Sequence, residues 1–455
     1  MSLLHPDDLE PSLLAQGTYA SRRRYTHIDA AILLCFMLCL LMLIPAKLIV
    51  PNMTDLGRPA LIVAVLMFCW WILVRFNPRL TMSGPQPVRW AVLIYLLSII
   101  ASYAQGFLRG LTAMEANSAD RALMFAAAFV GVVLVVADGL PNWDRFRLVF
   151  RVFVWCAAFM AVIGLLQFIL WMDVTQYLMI PGLAPKGFVP GFEIRGSGIR
   201  VASTTMHYIE FSAVMATALP FAIHFARFSP ERKTRQKFFI AAVLIAAAVP
   251  ATVSRTGFAA VALMLIVMIP VWSWRMRYNM FGLGLVLFGG LMFAKPGLIA
   301  TVWELFSGAD KDPSVTSRTD RYDMVYDYFV QRPWLGRGTG TWVSPQYQYL
   351  DNQWFAQALM NGIVGVAALL LLHITAMVLA FLAIRRATRP EDKHFAAALL
   401  STQLIGIFVG FTFDSFSFTT YATVLSLVIG GCGAVWRFTH PRRTVRTSAP
   451  RRFGQ

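Results

Sequence analysis

Two short motifs hold the residues best suited to chemistry. Ser254-Arg255-Thr256-Gly257 lies between two long apolar runs, and Asp351-Asn352 stands at the head of another. Arg200 precedes a further apolar run in IRVASTTMHYIEF, while Arg318, Arg321 and Arg337 lie in the polar segment 299–352. Arginine presents a planar fork that grips phosphate oxygens through paired, charge-assisted bonds. Several arginines on separate elements suit a pyrophosphate and can stabilise it as a leaving group. A carboxylate beside them, Asp351, can orient or deprotonate a hydroxyl for in-line attack. Plainer readings stand next to these. Arg255 can be an interfacial anchor whose stem snorkels, and Asp351 can be a helix N-cap.

The elements that must position these residues are membrane helices. The 455-residue chain is 58% hydrophobic and 14% charged, with mean hydropathy +0.61. Soluble domains carry nearer a quarter charged residues, and a bilayer core takes roughly 20 apolar residues per helix. The expected fold class is an all-α polytopic membrane protein with about twelve spans. They are placed near 28–50, 59–75, 88–105, 119–137, 148–171, 209–227, 237–253, 256–273, 279–298, 353–384, 395–413 and 417–437. The domain layout is a polar tail (1–27), a transmembrane domain (28–437) with a long loop at 299–352, and a basic tail (438–455). The first span follows Arg22-Arg23-Arg24 without a small-residue cleavage pattern, so it reads as a retained anchor.

Charge asymmetry sets the expected orientation. With the N-terminus in the cytoplasm, 26 of the 40 lysines and arginines fall on the cytoplasmic side, mostly in short segments. Both termini then lie in the cytoplasm, and the segments 172–208 and 299–352 lie outside. The net charge of +17 is accounted for by topology and lipid headgroups, so no nucleic-acid partner is expected. The chain has no Walker A motif. Its GRGTGT turn follows an expected helix rather than a strand, which speaks against dinucleotide binding. The five cysteines all fall inside predicted spans and read as small core residues rather than a disulfide framework or metal site. No metal site and no cofactor are expected.

Within 299–352, Ser314 or Ser317 can cap a helix running to about Gln331. Tyr322, Val325, Tyr326 and Phe329 form its apolar stripe, expected to pack on the membrane domain, and Arg318 and Arg321 share a face. Pro333 stops that helix, and Gly336, Gly338 and Gly340 make a flexible turn. Trp334, Trp342, Tyr347, Tyr349 and Trp354 suit sugar stacking or an interfacial aromatic belt.

This ordered set resembles the O-antigen ligase and polymerase superfamily of bacterial envelope proteins. Its pattern is an Arg before a mid-chain span (Arg200), then a Ser-Arg between two spans (Ser254-Arg255). A long loop with Arg, Pro and spaced Gly follows (Arg318, Arg321, Pro333, Gly336, Gly338, Gly340). The pattern closes with an Asn-containing pair before a G-x-x-G span (Asp351-Asn352, Gly362-Ile363-Val364-Gly365). The resemblance covers residues 195–370. It implies a GT-C-like helical fold and transfer of glycan from an undecaprenyl-pyrophosphate carrier to a sugar hydroxyl at the periplasmic face of the inner membrane. It further implies inversion at the anomeric carbon and no metal. Asp351 and Arg255 take the catalytic positions; Arg200, Arg318, Arg321, Arg337 and Asn352 take the substrate-binding ones. Implied partners are the lipid-linked glycan donor, a glycan acceptor, the bilayer and other polysaccharide assembly proteins. Ligases of the superfamily carry His where this chain has Asp351, which favours a polymerase or another relative. The alternative from another class is a transporter or flippase of lipid-linked glycans. Its expected six-plus-six symmetry conflicts with a nine-plus-three division of spans.

Overall fold

A computed structural model describes residues 29–53, 55–76, 85–187, 192–195, 198–294, 321–344 and 346–440. Their helices, in chain order, are α1 (Ala30–Leu43), α2 (Pro59–Arg75), α3 (Pro87–Arg109), α4 (Ala113–Gly139), α5 (Trp143–Leu170), α6 (Tyr208–Phe228) and α7 (Arg232–Ala251). They continue as α8 (Arg255–Met268), α9 (Trp274–Ala294), α10 (Arg321–Gln331), α11 (Gln353–Arg386), α12 (Pro390–Gly410) and α13 (Thr419–Phe438). Two small antiparallel pairs accompany them: β1 (Leu48–Ile49) with β2 (Ala184–Pro185), and β3 (Phe192–Arg195) with β4 (Gly198–Val201). Each expected span overlaps a helix, although the first, expected over 28–50, is helical only over Ala30–Leu43 and the ninth, 279–298, runs past the described residues. Among the described residues, eight helices are long and apolar enough to cross a membrane; Ala30–Leu43, Pro59–Arg75 and Arg255–Val271 are shorter apolar helices. The protein is an all-α polytopic membrane protein.

Local chemistry sets the helix ends. Proline occupies the first position of α2, α3 and α12, where its missing N–H costs nothing. α4 begins earlier than hydropathy suggests because Thr112 and Glu115 form a reciprocal capping box. α5 likewise starts at Asn142, whose side chain accepts the Arg145 N–H. These starts are polar, so an apolar window misses them.

α6 and α13 form the centre and are buried along almost their whole length. Close approach there depends on small residues. A Cβ on Gly430 would meet the Val133 carbonyl at 2.7 Å, so α13 and α4 touch backbone to backbone. The five cysteines are free thiols. Cys39 of α1 and Cys156 of α5 face each other at 4.0 Å between their sulfurs.

One end of the bundle is tied by arginine. Arg75 and Arg89 meet Asp138 at 2.5 and 2.8 Å, and Arg147 meets Glu391 and Asp392 at 3.0 and 3.1 Å. Arg437 donates to the carbonyls of Ala137 and Leu140, which have no further helical turn to accept from. The other end collects the connections α1–α2, α3–α4, α5–α6, α7–α8 and α12–α13, and the start of α11.

The GRGTGT segment is packed at that end and is not a flexible tether. Gly336, Gly338 and Gly340 all have positive φ (70°, 119° and 73°). The Arg337 and Gly338 N–H groups donate to the carbonyls of Leu359 and Met360 at 2.9 and 3.0 Å. In return, Ile363 and Val364 N–H donate to the carbonyls of Pro333 and Trp334. The exchange is needed because α11 breaks at Gly362 (φ 64°, ψ −166°), which frees its own backbone groups. A broken helix at membrane depth persists only where other protein groups satisfy it. Gly362→Ala places a Cβ against the Trp334 carbonyl in a backbone region open essentially to glycine. Strain of about 1–3 kcal/mol then adds to an overlap that backbone cannot yield. The expected result is a sharp fall in the thermal midpoint of the detergent-solubilised protein. Gly282→Ala, where a Cβ meets nothing within 4 Å, should be neutral or mildly stabilising.

Candidate active site

Asp351 adopts φ 49°, a left-handed conformation uncommon for a residue with a side chain. The turn it makes places the next residue, Asn352, as the N-cap of α11: its side-chain oxygen accepts the N–H groups of Trp354 and Phe355. Capping thus belongs to Asn352, and the Asp351 carboxylate is left to meet Arg321 at 2.9 Å. Asp351 is about half exposed, 47%, so the pair opens to the surroundings. Beneath it, half-buried Asp414 from the α12–α13 connection accepts the Asn352 N–H at 2.9 Å. Burial pushes the Asp414 carboxyl up to about 6, and the Asp351 charge adds to this, against the pull of the Asn352 N–H and of Arg321. The Gln353 side chain accepts the Phe416 N–H at 2.9 Å, a second tie between the same two segments.

α10 brings Arg321 to this point. The helix lies on the start of α11 through Val325, which packs with Leu350, Ala356 and Leu359, and through Met324, Tyr328 and Phe329 at the edge of that cluster. The expected stripe is partly corrected. Tyr322 and Tyr326 are 55% and 65% exposed, because the docked face is rotated towards Met324 and Tyr328. Tyr322 keeps an edge-on contact with Phe355. Arg318, together with Ser314 and Ser317, lies outside the described residues.

Arg200, on β4, is buried and stands over the Tyr208 ring, its guanidinium 4.6 Å from the ring centroid; it also donates to the Tyr208 hydroxyl. His207, the N-cap of α6, stacks obliquely on the same tyrosine, ring centroids 4.1 Å apart. It also approaches Phe418, whose connection carries Asp414. Burial, with help from the Arg200 charge and against the Asp351 charge, pushes His207 down to about 4. His207 is therefore neutral near pH 7 and lies within electrostatic reach of both Arg200 and Asp351.

Arg255 is the first residue of α8. The turn before it is made by Val253 at φ 49°, a genuine backbone outlier for a β-branched side chain. Ser254 faces Ser212 of α6 at 3.3 Å, and Gly257 lets α8 lie directly on Ser212. Arg255 thus stands at the end of the bundle where α6 begins. Ser203, at φ 53°, is a third left-handed residue at this end. Its N–H and hydroxyl are held by the Gln167 side chain and the Met160 carbonyl. Strained backbone clusters at functional sites and persists only where surroundings over-determine it.

Arg337 sits apart from the Asp351 pair. Its guanidinium lies between Tyr328 and Tyr347, 5.0 and 4.9 Å from their ring centroids, and donates to the Tyr347 hydroxyl. Its carbonyl accepts from Arg109, which pairs with Glu115. Of the five loop aromatics, Trp342 and Tyr347 stack on each other and Trp354 is buried against the Ile407 carbonyl. Trp334 and Tyr349 remain exposed.

Sequence reasoning missed the buried support. Glu210 of α6 accepts the N–H groups of Met206, Thr420 and Tyr421 at 2.9–3.1 Å. Arg58, before α2, donates to Thr419, Thr420 and the Leu41 carbonyl. A lone carboxylate within an apolar run was the available signal for Glu210; nothing local marks Arg58 as sharing its place at the start of α13.

The fold and this end together define a helical membrane protein that gathers arginines, a half-exposed carboxylate and a neutral histidine at one end of its bundle. Residues 240–370 match the family model described as O-antigen ligase. The matched segment includes Arg255, Arg321, Arg337, Asp351, Asn352 and Gly362, and begins after Arg200 and His207. No curated protein matches the chain.

Proposed function

We propose that the protein transfers or polymerises glycan from an undecaprenyl-pyrophosphate carrier onto a sugar hydroxyl at the periplasmic face of the bacterial inner membrane. The observation that carries this reading is the open Asp351–Arg321 pair, set at the same end as Arg200 and Arg255 in a chain with an O-antigen ligase segment. Asp351 orients the acceptor hydroxyl and takes its proton. Arg200 and Arg255, joined by Arg321 or Arg318, hold the pyrophosphate as it departs. Attack opposite the leaving group inverts the anomeric carbon without a metal. Asn352 and Asp414 fix the Asp351 turn, and Arg337 holds the GRGTGT segment against α11. The basic asymmetry of the sequence supports this end lying outside and both termini inside.

The test is purified protein supplied with a synthetic polyprenyl-pyrophosphate glycan. A ladder of lengthened products indicates a polymerase; a single transferred unit indicates a ligase. Asp351→Asn keeps the shape and is expected to lower the rate about 10²- to 10⁴-fold. Absence of product across a range of acceptors, or full complementation of a polymer-deficient strain by Asp351→Ala, would sink the reading.

A further inference from the structure

We propose that His207 is a direct ligand of the donor's phosphate, offering a neutral Nε2–H hydrogen bond beside the Arg200 guanidinium. This rests on the proposed function and adds to it a residue outside the matched family segment.

The tautomer follows from geometry. His207 Nδ1 accepts the Ile209 N–H at 3.2 Å, so it carries no proton. A neutral imidazole capped in this way must keep its proton on Nε2. That nitrogen makes no hydrogen bond with any described residue. It has no lone pair to offer, so His207 cannot take the acceptor's proton in place of the histidine that ligases carry. What it can do is donate, and its partner must bring an acceptor oxygen.

The surroundings favour an anionic one. Tyr208 holds His207 on one contact and Arg200 on another. A group reaching the Arg200 guanidinium beside Tyr208 is therefore within the neighbourhood of His207. Burial and the Arg200 charge keep the ring neutral, so no proton leaves it during the reaction. The step balances without it. The acceptor oxygen bonds to the anomeric carbon, and the carbon–oxygen bond to phosphate breaks. The electron pair leaves on the phosphate oxygen, and the acceptor's proton passes to Asp351. The His207 hydrogen bond strengthens as charge grows on that phosphate.

A helix cap alone would also explain His207, and substitutions separate the two. Asparagine keeps both a cap oxygen and an N–H donor, aspartate keeps the cap but replaces the donor with a negative charge, and alanine removes both. Binding of geranylgeranyl pyrophosphate to the full-length protein in detergent is the readout, with geranylgeraniol as the uncharged control. Affinity should fall in the order wild type, Asn, Ala, Asp, with Ala about 10- to 100-fold weaker than wild type. The thermal midpoint should instead follow capping, with Asn and Asp above Ala. If Asp and Asn variants bind pyrophosphate equally well, His207 is a cap and the inference is overturned. If wild type binds no polyprenyl pyrophosphate, the proposed function itself fails. Binding that drops in the Ala and Asp variants while wild type also transfers glycan supports both.

Discussion

Alanine in place of Arg255 is expected to abolish glycan product while the protein reaches the membrane at its normal level. The strained Val253 turn, the Ser254–Ser212 contact and the seat of Gly257 on α6 aim this residue whether or not its charge is present. Its removal should leave the fold intact and cost the departing pyrophosphate one electrostatic ligand. A single such ligand is worth about 10²- to 10³-fold in rate. Lysine keeps the charge without the planar fork and should restore only part of the activity. Product length on gels and membrane protein on immunoblots check both halves. An interfacial anchor would behave differently: lysine would serve fully, and alanine would lower protein level rather than turnover.

Arg58→Ala is expected to have the largest effect on stability. Glu210 is fully buried between Arg58 and the start of α13, and Arg58 ties that start to α1 as well. Arg58 and Glu210 brace the same start of α13, so alanine removes the arginine's hydrogen bonds to Thr419, Thr420 and Leu41 and leaves the buried Glu210 charge without that nearby cation, a loss of about 3–5 kcal/mol. Glu210→Gln strands the arginine instead. The double variant Arg58→Ala/Glu210→Gln strands neither, so it should be more stable than the sum of the single losses predicts. A thermal double-mutant cycle in detergent measures this coupling, expected above about 1 kcal/mol for neighbours in one network. Additive losses would show that the two groups stabilise separate elements. Glu210 also accepts the Met206 N–H beside His207, so loss of the neighbouring Arg58 should also shift His207 and lower activity.

Much of the architecture was legible because it is local. Apolar runs of helix length, prolines at first turns and the stop at Pro333 each act over a few residues, and every expected span overlaps a helix among the described residues. The errors have the same origin. Thr112 and Asn142 begin helices within polar sequence, so an apolar window starts too late. The α10 stripe was assigned from periodicity, but the partner surface around Leu350 and Ala356 selected an adjacent face. The glycine-rich turn read as flexible until the break at Gly362 supplied backbone groups that lock it.

The site divides along the same line. Sequence alone determined which residue types stand at helix ends, the resemblance that orders them, and the odd substitution of Asp351 for histidine. Only the tertiary structure decided that Asn352 is the cap, that Asp351 meets Arg321, and that His207, Arg200 and Tyr208 share one corner. It also revealed half-buried Asp414 and buried Arg58 as the support. Helix identity is set by neighbours a few residues away, whereas the polar partners here lie 30 to several hundred residues apart and meet only because α10 docks on α11 and α6 packs against α13.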